Sequence, residues 1–157
     1  MGEFTLTIDM ELYIPDFADA SVPLQDISDE IAEDARRNIR LQRSPDGKPF
    51  TPLSKRTISK KGFSTALIEK GIMLGAIHSY KVRKNLIVVG VIARGKPTRD
   101  LLALIHQEIG VPSKQGMITR PFLGISKKRE EWANNRMIRW FNEQIRNAKK
   151  TSYRVKK

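Results

Sequence analysis

Residues 119–126 read TRPFLGIS, with an arginine, a proline, two large apolar side chains and a glycine crowded just ahead of a long, very basic helical pattern. Pro121 fixes its own φ and biases Arg120 towards an extended shape, while Gly124 permits a tight or positive-φ bend. Ser126 is a good N-cap for whatever helix follows. The stretch therefore ends an extended segment and starts a helix at a fixed angle. Phe122 and Leu123 are core candidates, with Trp132 as a neighbour, and Arg120 is either structural or an anchor for a partner.

Downstream, Ala133, Met137, Trp140, Phe141, Ile145 and Ala148 recur at helical spacing, which predicts a helix from Ser126 to about Lys149, roughly 36 Å long. Residues 150–157 read as a basic flexible tail. Upstream, FTLTIDMELYI (4–14) alternates strictly between apolar and polar residues and predicts a half-buried strand. Leu24, Ile27, Ile31, Ala35 and Ile39 then mark an amphipathic helix whose acids come early and whose arginines come late, as its dipole favours.

RSPDGKPFTPLSKRTISKKGF contains three prolines and two glycines and reads as a long ordered loop over 43–64, with Ser44-Pro45-Asp46-Gly47 as a type I turn. Phe50 and Leu53 look buried and would dock it. TALIEKGIMLGAIH predicts a short helix, and SYKVRK-NLIVVGVIAR a hairpin turning near Lys84-Asn85, with a second strand too apolar to face water. TRDLLALIHQEIG predicts another helix closing at Gly110, followed by a loop from Val111 to Met117. The fold class is α+β: a small, mostly antiparallel sheet packed by an N-terminal helix and a long C-terminal helix, in one domain spanning 1–149.

A chain of 157 residues can bury a sizeable core, and its composition of 39% hydrophobic and 29% charged residues is ordinary for a folded domain. The absence of cysteine excludes disulfides, thiolate metal sites and cysteine nucleophiles. The opening MGEFTLTIDMELYIPDF does not read as an export signal, and Leu6 stands where a myristoylation motif needs Ser or Thr. No apolar run is long enough for a membrane span.

GVIARGKP (90–97) matches seven positions of the phosphate loop, but Pro97 occupies the eighth, where a magnesium-binding hydroxyl is required. A strand end followed by a turn accounts for it better. His78 and His106 have no ligand partners at helical spacing, and Asp46, Glu69, Asp100 and Glu108 form no spaced pair. No catalytic, cofactor-binding or metal-binding residue is expected, and the protein does not read as an enzyme.

The net charge of +12 is unevenly spread: residues 1–42 hold 3 basic and 10 acidic side chains, whereas residues 127–157 hold 11 basic and 3 acidic. Such a chain suits nucleic acid, an acidic partner, or head-to-tail contact between its own copies. Lys127, Lys128, Arg129, Arg136, Arg139, Arg146, Lys149 and Lys150 could stripe a helix, with Tyr153 as a stacking ring, so a basic nucleic-acid-binding accessory protein is the alternative reading. Zinc-finger spacing and the paired aromatic motif of an RNA-binding sheet are both missing.

Five blocks in order give the pattern a likeness. SPDGKPFTPLSKRT, LIEKGIMLGAI, LIVVGV, IHQEIG and RPFLGIS resemble the virion morphogenesis and tail completion proteins of tailed bacteriophages, notably Mu-like phages, over roughly residues 24–148. Phe50 stands where those proteins commonly have tryptophan, and Glu108-Ile109 replaces the single aromatic usual between Gln107 and Gly110. The resemblance implies a non-enzymatic protein without cofactors that completes the tail or joins it to the head. It would work as a ring, hexameric by expectation, in the virion neck or tail top after assembly in the host cytoplasm. Its partners would be its own copies and other neck or tail proteins, with non-specific DNA contact possible and no membrane. On this reading Phe50, Leu53, Arg120, Phe122, Leu123, Lys127, Lys128 and Arg129 are the interface candidates. Acidic residues 1–42 of one copy would face the basic end of the next.

Overall fold

Helix α1, Ser21–Arg40, forms where the apolar spacing requires it: Leu24, Ile27, Ile31, Ala35 and Ile39 are all buried on one side. The computed structural model describes residues 19–68, 71–83, 86–91, 97–114 and 116–154. The strand expected over 4–14 and the turn at Lys84-Asn85 lie outside the described residues.

α1 stops at Leu41, and Gln42 reverses the chain with a positive φ of 53°. That conformation costs a non-glycine residue on the order of 1 kcal/mol. Gln42 offsets it through its side chain, which accepts from the Ala66 amide at 2.6 Å and donates to the Ala66 carbonyl at 2.9 Å. Next comes the predicted turn, closed by Gly47 N–H donating to the Ser44 carbonyl at 2.9 Å.

The segment 43–64 is not all loop, because helix α2 occupies Lys55–Lys61. Ser54 caps its start by accepting from the Thr57 amide at 3.2 Å, and Gly62 ends it in the left-handed region. None of its residues is buried, so it carries no apolar period to read. The helix expected across 65–78 is likewise shorter: α3 covers only Ile72–Ala76. Gly71, at φ 65°, is the reason, since a left-handed residue cannot lie inside a right-handed helix.

β1 (Ile77–Arg83) and β2 (Leu86–Val91) form the predicted antiparallel hairpin, with Ile77 opposite Val91 and Lys81 opposite Ile87. Val88 to Val91 are buried without alternation, as the apolar reading required. α1 lies against both strands, and α4 (Pro97–Leu104) touches β2. Of the phosphate-loop look-alike, Gly90 and Val91 end β2 and Pro97 opens α4; 92–96 lie outside the described residues.

α4 runs into a π-helical turn, Ile105–Ile109, closed by the Gly110 amide donating five residues back to the Ile105 carbonyl at 2.6 Å. Val111–Met117, expected as a loop, instead holds most of a second hairpin, β3 (Val111–Ser113) with β4 (Gly116–Ile118). Three-residue strands are too short to show alternation, and Pro112 argues against a strand everywhere except at an edge. The described residues thus hold two separate two-stranded antiparallel sheets in place of one, still within an α+β fold.

Helix α5, Lys127–Arg154, starts at the predicted cap, with the Ser126 hydroxyl accepting from the Arg129 amide at 3.2 Å. It continues past Lys149, so residues 150–154 extend it. Ala133 and Trp140 in its first half are buried beside α1, and residues 141–147 are exposed.

Candidate functional site

TRPFLGIS lies at the centre of the molecule, and backbone-directed side chains from distant segments fasten it there. Gln107, carried by the π turn, accepts with one oxygen from the amides of Phe122 at 3.0 Å and Leu123 at 3.1 Å, and donates to the Leu123 carbonyl at 2.8 Å. Asn38 of α1 donates to the Phe122 carbonyl at 3.2 Å. The Arg120 amide donates to the His106 carbonyl at 2.6 Å. These bonds satisfy polar backbone that would otherwise be buried unpaired next to Phe122, which is fully buried.

Arg120 runs the other way. Only 4% exposed, it donates through Nε to the Thr51 carbonyl at 2.9 Å and through Nη2 to the Pro52 carbonyl at 3.3 Å, tying the long loop to the junction. Burial lowers its pKa from the ordinary arginine value. Gly124 closes the arrangement: a Cβ there would stand 2.7 Å from Cγ of Pro45, so only glycine lets the two segments touch. His106 lies beside the junction with Nδ1 buried and unpartnered. Desolvation lowers its pKa below the ordinary 6.5, and the Arg120 and Lys61 charges push the same way. The imidazole is therefore held neutral. Among the described residues no group of three or more His, Cys, Asp or Glu is placed to hold a metal ion.

The acidic and basic ends of the chain also meet. Arg129 grips Asp34 with two nitrogens, at 2.6 and 3.0 Å, reaches Glu30 at 2.9 Å and stacks 4.7 Å above the Trp132 ring. Its pKa is raised, first by the Asp34 hydrogen bond. Arg136 pairs with Asp26 at 2.6 Å. Arg36 donates to the Ile77 carbonyl at 2.6 Å and pairs with Glu33, whose pKa is lowered chiefly by Arg40.

Three blocks of the sequence pattern, Pro45 to Pro52, His106-Gln107 and Arg120 to Gly124, thus build one junction. The model of the phage virion morphogenesis family matches residues 11–142. The chain belongs to that family. No significant match was found among curated proteins or among solved structures. Membership gives the protein a role in building a phage particle, and the family is structural in character.

In this family member, most of the interface candidates face inward. Phe50, Arg120, Phe122 and Leu123 are buried in the chain's own core, and Leu53 packs against it. Arg129 is engaged with Asp34 and Glu30, which leaves Lys127 and Lys128 as the exposed candidates, beside a cleft of about 290 Å³ between the end of α1 and the start of α5. Among the described residues no helix is long and apolar enough to cross a membrane.

Sequence reasoning missed two things. It did not find Gln107 as the hub, because side chain to backbone bonds leave no periodic trace. It also grouped Phe141 and Ile145 on one helix face with Ala133 and Trp140, which are buried. Phe141 and Ile145 are exposed, with Ile138 beside them, at 37%, 40% and 57%. A second apolar group, Leu101, Leu102 and Ile109 with nearby Met117, lies open on α4 and the turns after it.

Proposed function

We propose that this protein completes the phage tail, or joins it to the head, as a ring of copies at the neck or tail top. Family membership over residues 11–142 is the observation that carries the reading. Two structural features support it. The motif residues are engaged in holding the chain's own fold, which suits a building block. Residues 141–147 of α5 are exposed, and Ile138, Phe141 and Ile145 present apolar side chains to solvent, which suits contact with another protein surface.

The nucleic-acid alternative draws less support, because Arg129 and Arg136 of the basic stripe are already paired with carboxylates. Placing a stop codon early in the gene within the phage that carries it tests the proposal. Electron microscopy is expected to find DNA-filled heads beside separate tails of finished length. Normal joined virions would overturn it.

A further inference from the structure

Arginines of the two long helices are largely engaged: Arg36, Arg37 and Arg40 pair with carboxylates of α1, and Arg129 and Arg136 reach the same helix from α5. The long loop is different. Residues 43–65 carry six basic side chains, Arg43, Lys48, Lys55, Arg56, Lys60 and Lys61, against one acid, Asp46, and no acidic residue occurs from Gly47 to Ile68. Lys55, Arg56 and Lys60 are exposed and make no ion pair among the described residues.

α2 aims these three cations one way. At 3.6 residues per turn, Lys55, Arg56, Ser59 and Lys60 fall within an arc of about 140° and are exposed, while Thr57, Ile58 and Lys61 on the other side are half-buried. The outward face is therefore three cations and a hydroxyl. Helix stability does not account for it: Lys60 suits the negative end of the dipole, but Lys55 and Arg56 stand at the positive end, where the first turn holds no acid. Nor does the fold, because the loop is tied down through the Thr51 and Pro52 carbonyls. Asp46 lies between Arg43 and Lys48 in the chain, and Glu108 is two residues from His106, on which half-buried Lys61 acts. Neither carboxylate pairs with the exposed face among the described residues.

The make-up of this face selects its partner. Protein interfaces are depleted in lysine and serine and centre on aromatic or apolar anchors, and the outward face of α2 has none. Lysine, arginine and hydroxyl side chains are what contact phosphate oxygens. α2 is about 10 Å long, and over that length a duplex presents about six phosphate charges, enough to engage all three cations. We propose that Lys55, Arg56 and Lys60 of α2 form a contact for the phosphate backbone of double-stranded DNA, without base readout. This contact goes beyond the ring reading and does not depend on it, and it lies on α2 and not on the basic stripe of α5.

Fluorescence anisotropy of a short labelled DNA duplex, titrated with the full chain between about 50 and 200 mM salt, tests the contact. Lys55→Gln with Arg56→Gln and Lys60→Gln should weaken binding about tenfold or more at the lowest salt. It should also lower the slope of log affinity against log salt by about 2–3, since each phosphate contact contributes about 0.9. Arg139→Gln with Arg146→Gln removes two exposed cations from α5 and should lower the slope by less than about 1. All five side chains are on the surface or near it, so urea midpoints should match the parent chain. If the triple variant does lose stability, Arg56→Gln and Lys60→Gln alone carry the test, each lowering the slope by about 0.9. An unchanged slope in the α2 variants, a larger loss in the α5 variant, or no binding by the parent chain at low salt would each overturn the contact. Poly-glutamate of matched charge that competes as well as unlabelled duplex would overturn it in favour of an acidic protein partner.

Discussion

Gln107 shows how much one side chain can hold. It satisfies two amides and one carbonyl of the segment carrying the fully buried Phe122. Replacing it with alanine leaves those groups buried without partners, at about 1–3 kcal/mol for each group that water does not reach. Gln107→Ala should therefore lower stability by about 2–4 kcal/mol in urea unfolding, within the range for a broken buried network. A loss below about 0.5 kcal/mol, the size of an ordinary surface substitution, would mean the junction is not what holds Phe122 in place. His106 adds a pH dependence of known sign. Its folded pKa lies below the ordinary 6.5, so the unfolded chain takes up the proton first as pH falls. Its contribution is fully present above about pH 6.5 and is lost as pH drops from there through the folded value. The melting temperature should fall between pH 7.5 and pH 5.5, and fall less in His106→Gln. Glu33, also lowered, acts in a separate window below its ordinary 4.5.

Elements were legible in proportion to their burial. α1 and the β1–β2 hairpin were readable because each buries a face against the other, and burial is what imposes a period on sequence. α2, with no buried residue, and the three-residue strands β3 and β4 impose none. The start of α5 was readable for a different reason, the chemistry of Ser126. Ser126→Ala removes its bond to the Arg129 amide and should cost about 1 kcal/mol, seen as a lower urea midpoint at unchanged slope. Which apolar residues of α5 are covered was not legible, for a physical reason too. They span too wide an arc for one contact: Ala133 and Trp140 are buried on the body, whereas Ile138, Phe141 and Ile145 lie well round the helix and are exposed. Periodicity reports that a face is apolar and not what covers it. The candidate site was legible only in part: Phe122, Leu123 and Arg120 stood out in the sequence, but the groups they bond lie at Asn38, Thr51, Pro52 and Gln107, apart along the chain.

At the scale of the molecule, charge asymmetry and exposed apolar surface need separate accounts. The asymmetry was plain in the sequence, yet Asp26, Glu30 and Asp34 meet Arg129 and Arg136 inside one chain, so among the described residues much of it fastens α5 to α1. If copies meet in the proposed ring through the exposed apolar residues of α5, folding and assembly should separate. Phe141→Glu with Ile145→Glu alters side chains that already meet water in the single chain, so the monomer's stability should change by no more than about 0.5 kcal/mol. Burying those two carboxylates against a neighbour would cost several kcal/mol, so assembly should be lost by native mass spectrometry. Phe122→Ala is the contrasting case. It empties a fully buried site, should cost about 3–5 kcal/mol, and should weaken assembly only through the fold. If the α5 double variant unfolds while Phe122→Ala does not, the roles assigned to the two stretches are reversed. If the double variant both folds and assembles normally, α5 is not where copies meet.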